Sequence, residues 1–331
     1  MFDMNNNPKI VTIGGGTGSF NILKGLKTLT PNITAIISMV DDGGSTGQLR
    51  DDLGVLPPGD IRQALVALSR SSDLMRELFN YRFEDGGSFA GHSFGNVFIS
   101  TMEKVTGNFT EAVEATSKVL NIKGKVVPVT LENTRLVLKF NDGKEVEGEH
   151  WVDELPFPEG ERPDVYLRPS SKINPDAAEA IKQADVIVIA PGTLHASLIP
   201  NFQVEGMKEA LAESHAKIIY ICNLVTNAGQ TDGYRVDDFA SEIERFAGKI
   251  LDYVFYNTEQ PSQDLLDKYT NAKDYGVEID QANLDQASYK AIGGNFIAEP
   301  DGADSKGRMF IRHDAKAITA LVDRIANGEQ L

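Results

Sequence analysis

Residues Lys9 to Ser19 read KIVTIGGGTGS, and this stretch decides the fold. Lys9 to Ile13 is a short β-branched run that breaks into Gly14-Gly15-Gly16-Thr17-Gly18-Ser19, and a helical segment follows from about Asn21 to Leu29. Strand, glycine loop and helix in that order bring unpaired backbone N–H groups and the positive end of a helix dipole to one point, where an anion binds. The pattern is Gly-x-Gly-x-Gly. Ser19 stands where the dinucleotide fingerprint needs its third glycine, and the Gly-Lys-Ser/Thr ending of a P-loop is missing. The loop therefore points to phosphate binding, with a tight turn as the plainer alternative, and sets aside a P-loop kinase or ATPase.

Ile33 to Val40 (ITAIISMV) reads as a second buried strand that runs directly into Asp41-Asp42-Gly43-Gly44-Ser45-Thr46-Gly47. Near-continuous apolar strands alternating with helices predict a doubly wound, Rossmann-like α/β fold with a mostly parallel sheet covered on both faces. Asp60, with Gln63 three residues on, reads as the N-cap of a helix through Leu65 and Leu68. A second glycine-rich stretch, Gly86 to Asn96, leads into a helix from Val97 with Asn96 as its cap, and Thr110 caps another to about Leu120. From Lys125 to about Tyr166 the alternation has period two, with a turn at Asn141-Asp142-Gly143; this predicts a small β-hairpin insertion in which the lone Trp151 is a packing residue. The α/β rhythm resumes with Asn174-Pro175 as cap and first helical residue. Strands follow at Val186 to Ala190, Lys217 to Ile221, Tyr253 to Tyr256 and Met309 to Ile311, before a last helix from about Ala315 to Ala326. The expected organisation is a glycine-loop half over 1–124, the insertion over 125–172 and the second half of the core over 173–331.

At about 150 residues per domain, 331 residues make two domains or one large domain with an insertion. Asp plus Glu number 48 against 32 Lys plus Arg, a formal charge of −16. Without a basic stripe, so acidic a chain is a poor match for nucleic acid or for an anionic membrane surface. The one cysteine, Cys222, lies in a strand-like setting and reads as a buried core thiol, which leaves no disulfide framework and no all-cysteine metal site. Met1 to Lys9 has no apolar core of a secretory signal, and no apolar run approaches the roughly 20 residues that span a bilayer, so a cytoplasmic location is expected. No His/Cys/Asp/Glu spacing resembles a zinc site, and no Gly-x-Ser-x-Gly elbow supports a serine hydrolase.

Asp41 and Asp42 stand at the carboxyl end of the second strand, where ligands bind in open α/β sheets. Asp41 can accept from a ribose hydroxyl; the pair can instead hold a hydrated divalent ion that meets substrate phosphates, or open a solvent-facing turn. Arg50 and Arg62 follow closely and offer forked cations for phosphate. His92, in a glycine loop before a helix, can donate to a phosphate or act as an acid. His195 is comparable, just past Pro191-Gly192-Thr193, another strand-end turn of the anion-cradling type. His150 and His215 read as surface residues.

Ile13 to Phe20 (IGGGTGSF), Asp41 to Asp52 (DDGGSTGQLRDD), Leu56 to Gln63 (LPPGDIRQ) and Gly91 to Asn96 (GHSFGN) together resemble the YvcK-like gluconeogenesis-factor family. That family is related to CofD, the 2-phospho-lactate transferase of deazaflavin coenzyme synthesis. Ala190-Pro191-Gly192-Thr193, Cys222 to Thr226 (CNLVT) and Ile311 to Asp314 (IRHD) extend the likeness over nearly the whole chain. The resemblance implies a Rossmann-like core, a nucleotide-sugar ligand of the UDP-N-acetylglucosamine type, and a regulatory role in cell shape and envelope synthesis during gluconeogenic growth. It places Arg312 as a cation near the diphosphate. The candidate nucleotide-binding set is then Gly14, Gly15, Gly16, Thr17, Gly18, Asp41, Asp42, Gly43, Gly44, Ser45, Arg50, Arg62, His92, Asn96, Pro191, Gly192, Thr193, Asn223 and Arg312. The sequence departs from the family at Ala315, where members often carry a hydroxyl, and at Asn227-Ala228-Gly229-Gln230, which leaves side-chain roles there open.

Two readings share this cleft. One is a nucleotide-sugar-binding regulator without turnover. The other is a CofD-like transferase in which Asp41 and Asp42 hold magnesium while a phospho-lactyl or related group moves from a nucleotide donor to an acceptor hydroxyl. A nicotinamide dehydrogenase with His195 as acid is a third, against which the missing glycine and the Asp-Asp-Gly-Gly turn both count. The expected partner is a small nucleotide or nucleotide-sugar, and exposed hairpin edges offer a surface for a homo-oligomer.

Overall fold

The β-branched run Ile10–Gly14 (β1) is buried at every position, as a strand covered on both faces must be. The computed structural model describes residues 7–84, 87–248, 251–259, 261, 274–299 and 311–331. β1 pairs in parallel with β2 (Ile33–Ile37) on one side and with β7 (Val186–Ile189) on the other, Ile10 standing opposite both Ile33 and Val186. β3 (Lys125–Pro128) extends the sheet beyond β2. On the other side β8 (Lys217–Ile221), β9 (Tyr253–Asn257) and β10 (Lys290–Gly294) extend it beyond β7, so the order is β10-β9-β8-β7-β1-β2-β3 with every pairing parallel. The strand order reverses between β1 and β7, and the loops leaving their carboxyl ends open a crevice there.

Helices α1 (Gly16–Leu29) and α3 (Gly59–Leu68) pack with the C-terminal helix Ala315–Ala326 as one layer. α8 (Pro175–Gln183), short α9 (Ile199–Phe202), α10 (Met207–Glu213) and α11 (Val236–Ala247) form the other. Between β3 and α8 a three-stranded antiparallel sheet, β5-β4-β6, departs from the core: β4 (Arg135–Lys139), β5 (Glu145–Glu147) and β6 (Asp164–Arg168), with helix α7 (Glu149–Glu154) joining the last two. Among the described residues no helix is long and apolar enough to cross a membrane.

Several local expectations shift, each for a physical reason. α1 begins at Gly16 rather than Asn21, because the glycine loop is itself the first helical turn. β2 stops at Ile37, and the Asp-Asp-Gly-Gly turn runs straight into α2 (Gly44–Leu53). Asp60 is not a cap: Pro58 precedes α3 and Asp60 lies in its first turn. Ser93, not Asn96, caps α5 (Phe94–Thr106) by accepting from the Asn96 N–H, and Asn108, not Thr110, caps α6 (Phe109–Val119) by accepting from Glu111. The hairpin expected from Lys125 starts later, since Lys125–Pro128 is a core strand paired with β2, and the insertion gains a third strand, β6. Pro128, which has no N–H to offer, closes this edge strand, and Asn174 Nδ2 donates to its carbonyl at 3.1 Å. Trp151 does not pack: it is 63% exposed. β10 was not foreseen. Met309 and Phe310 of the expected last strand lie outside the described residues, and Ile311 is in no strand.

Candidate functional site

β1 delivers the chain to Gly14, and extended Gly15 precedes α1 without any side-chain cap bond. Gly16 takes the left-handed conformation at φ +67°, with open space where a Cβ would stand. Thr17 is exposed beside it. Gly18 does something else: a Cβ there would collide with the Pro191 carbonyl, so this glycine lets the loops after β1 and β7 touch. The Pro191-Gly192-Thr193 turn continues into a π-helical turn, Leu194–Leu198. Asn223, at the end of β8, donates from Nδ2 to the Gly192 carbonyl at 2.9 Å and accepts from the Tyr220 hydroxyl at 3.3 Å. It braces the turn from behind.

On one side of the α1 N-terminus lies a cavity of about 180 Å³ lined by Thr17, Phe20, Asn21, Arg62, Gln63, Asn80 and Arg312. Arg62 is fixed in it: Nε donates to Asn96 Oδ1 at 2.9 Å and Nη1 to Asn80 Oδ1 at 2.6 Å. Burial, with Arg82 nearby, lowers its guanidinium to about 10, still charged at neutral pH. Asn96 Nδ2 lies 3.4 Å from both Ser45 Oγ and Thr46 Oγ1, and Ser45 Oγ lies 3.0 Å from His92 Nδ1. Arg62, Asn96, Ser45 and His92 thus make one buried polar network behind the cavity. Arg312 arrives on the IRHD segment, which is anchored by its neighbours. Buried His313 places Nε2 2.9 Å from the Cys222 carbonyl and accepts at its own carbonyl from Asn21 Nδ2 at 2.8 Å, while Asp314 caps the C-terminal helix. Burial holds His313 down at about 4, so it is neutral. Cys222 is the buried core thiol expected, its pKa raised by burial.

The other side is acidic. Asp41 is partly buried, accepts from the Gly43 N–H at 3.1 Å, and packs its second oxygen against Gly59 and Thr46. Asp60 lies against Gly15 and takes the Gly16 N–H, so a carboxyl group already stands at the helix end expected to hold phosphate. Glu149, from α7 of the insertion, reaches over Gly43. Burial first, and then the surrounding carboxylates, raise Asp60 to about 7 and Glu149 to about 9; burial also raises Asp41. Carboxyl groups held protonated can donate as well as accept.

Three expected site residues point elsewhere. Asp42 turns to the insertion, pairing with Arg135 at 3.2 Å and accepting from the His150 N–H at 2.9 Å, so both its oxygens are engaged away from Asp41. Among the described residues no set of three or more His, Cys, Asp or Glu side chains is arranged to hold a metal ion. Arg50 leaves the cleft to pin the foot of the insertion, donating from Nε to Asn133 at 2.9 Å and from Nη2 to the Thr134 carbonyl at 2.5 Å. His195 is fully buried with the Phe157 ring edge-on at 4.9 Å; burial lowers it to about 3, which removes it as an acid. Asn80, Thr46 and Glu149 were missed. Thr46 lies in the Asp41 to Gly47 turn beside Ser45, whereas nothing in the sequence setting of Asn80 and Glu149 marks them, because they reach the site through tertiary packing. Asp60 was visible in LPPGDIRQ but was read as a cap.

The sequence profile of the CofD family, described as 2-phospho-L-lactate transferase CofD, matches residues 10–297. A Thermotoga maritima protein is 42% identical over 323 residues, which is 96% of this chain and 99% of its own. A Bacillus subtilis protein named gluconeogenesis factor is 37% identical over 96% of this chain and 98% of its own. The crystal structure of a Bacillus halodurans protein superimposes with a TM-score of 0.87 at 38% identity, covering 96% of this chain and 99% of that one.

Proposed function

The chain belongs to the CofD family, and from that premise we propose that it binds a nucleotide-sugar of the UDP-N-acetylglucosamine type and acts without turnover. Its role in this reading is that of a gluconeogenesis factor: a cytoplasmic regulator of cell shape and envelope synthesis during gluconeogenic growth. The observation that carries the proposal is the division of the crevice about the α1 N-terminus. Arg62 and Arg312 face one side, suited to a diphosphate, and the carboxyl groups of Asp41, Asp60 and Glu149 face the other, suited to hydroxyls. Isothermal titration against UDP-N-acetylglucosamine, UDP, GDP and NAD, with and without magnesium, tests it. Uridine ligands should bind with or without the metal; no heat with any uridine nucleotide overturns the reading.

The family description favours a second reading, transfer of a phospho-lactyl or related group from a nucleotide donor. Magnesium-dependent release of nucleoside monophosphate in the presence of an acceptor alcohol would establish it. The engagement of Asp42 by Arg135 and His150 counts against the aspartate pair as the magnesium holder.

A further inference from the structure

Helix α7 spans six residues, too few to persist in water without support. Both of its ends are fastened by side chains of the core. At its start the His150 N–H donates to Asp42 Oδ1 at 2.9 Å, from the loop after β2. At its finish Gln230 Nε2 lies 2.6 Å from the Val152 carbonyl, 3.2 Å from that of Leu155 and 3.3 Å from that of Asp153. Carbonyls at a helix end lack their full intrahelical complement, and of these that of Val152 is also reached by a backbone donor of the turn, Leu155 N–H at 3.4 Å. Gln230 is itself buried, in the loop after β8, and the same loop holds the chain beyond α7 through Phe157 N–H to the Gly229 carbonyl at 2.6 Å. Asp42 and Gln230 stand on opposite sides of the β1/β7 crevice, so α7 crosses it. Val152 is the buried residue of α7; Glu149, partly buried, stands beside Asp41, and the exposed Asp153 meets Thr193 at the rim.

We propose that Gln230 is a positioning residue whose amide holds α7 across the crevice. The wall so formed receives the group attached beyond the diphosphate, and it selects an uncharged, hydroxyl-bearing sugar over an anionic acyl group. Carboxyl groups match sugar hydroxyls in either direction of donation. An anionic acyl group would meet Asp41, Asp60 and Glu149, carboxyl groups that already oppose one another's ionisation, and would add a further like charge to them. The inference rests on the nucleotide-sugar reading above and goes further by assigning sugar selection to the insertion, through a residue of the segment that departs from the family pattern.

Two variants test it, Gln230→Ala and the isosteric Gln230→Glu, which keeps the shape but loses the amide donors. Titration of each with UDP-N-acetylglucosamine and with UDP should show a loss of about tenfold for the sugar nucleotide and less than about twofold for UDP. A general loss of structure would weaken both ligands alike, and equal changes for the two ligands overturn the proposal. A wild type that binds neither ligand overturns the nucleotide-sugar reading and this proposal together; a wild type that binds both, with variants of unchanged selectivity, overturns this proposal alone. Trp151, the single tryptophan, sits on α7 and supplies a readout that needs no variant. Its emission should shift with the sugar nucleotide and not with UDP, and identical responses to both count against the wall.

Discussion

The basic and acidic sides of the α1 N-terminus are built by different means. The basic side is assembled from segments of the core: α1 supplies Thr17, α3 supplies Arg62, which Asn96 and Asn80 hold, and the IRHD segment supplies Arg312, next to the anchored His313. The acidic side joins core to insertion, Asp41 and Asp60 from one and Glu149 from the other. Its carboxyl groups meet in a buried setting that favours their protonated forms. One side is thus a fixed charge ready for an anion, while the other trades protons and hydrogen bonds. A ligand with a charged middle and a neutral, hydroxyl-rich end matches both.

The strongest way to break this comparison is Arg62→Ala. It removes a buried charge and leaves Asn80 and Asn96 without their partner, so UDP-N-acetylglucosamine affinity measured by titration should fall about 100-fold, or about 2.7 kcal/mol. A fall below about threefold would remove the basic side from the ligand site. Gly18→Ala strikes the junction of the two loops, since the added methyl meets the Pro191 carbonyl. Urea unfolding should show a loss of about 2 kcal/mol, and because the displaced turn lines the same crevice the affinity should fall with it; unchanged stability would mean that the loops do not touch there. Asp60→Asn probes the acidic side through pH. The folded-state pKa of Asp60, about 7, lies above its ordinary value of 3.8, so the folded protein holds that proton more tightly than the unfolded chain. The stability that Asp60 contributes is therefore fully present below about pH 4 and is lost as pH rises through 7. The asparagine variant, neutral throughout, should show a flatter melting temperature between pH 5 and 8, by a few degrees. Parallel profiles for wild type and variant would mean that Asp60 does not carry this charge.

How much of this was legible in the sequence follows the same division. β1, β7 and β8, the Asn174-Pro175 cap and the C-terminal helix were readable because their signals are local: β-branched runs, a cap before a proline, a helical period. Thr17 and Arg62 were readable from the glycine loop and a nearby arginine, while Arg312 came only through the family resemblance; Arg50, read on the same ground as Arg62, braces the insertion instead. Asp60 shows the limit, because the same letter before an apolar run serves equally as a cap or as a buried acid against Gly15, and only the packing of α3 onto α1 decides. Glu149 carried no local signal, and Gln230 only its place in a segment that departs from the family pattern. Both owe their roles to residues far away in the chain, and period-two alternation around α7 pointed only to a hairpin.

The fastening of α7 has a consequence for how the molecule is made. Its start is tied to a residue 108 positions earlier and its finish to one 78 positions later. Contacts so distant in sequence form only after the intervening chain has been ordered. A growing polypeptide therefore holds its glycine loops long before it holds a closed crevice, and a chain halted before Gln230 has those loops without the fastening of α7. The complete crevice is in this sense a late product of synthesis, available once the loop after β8 has joined the sheet.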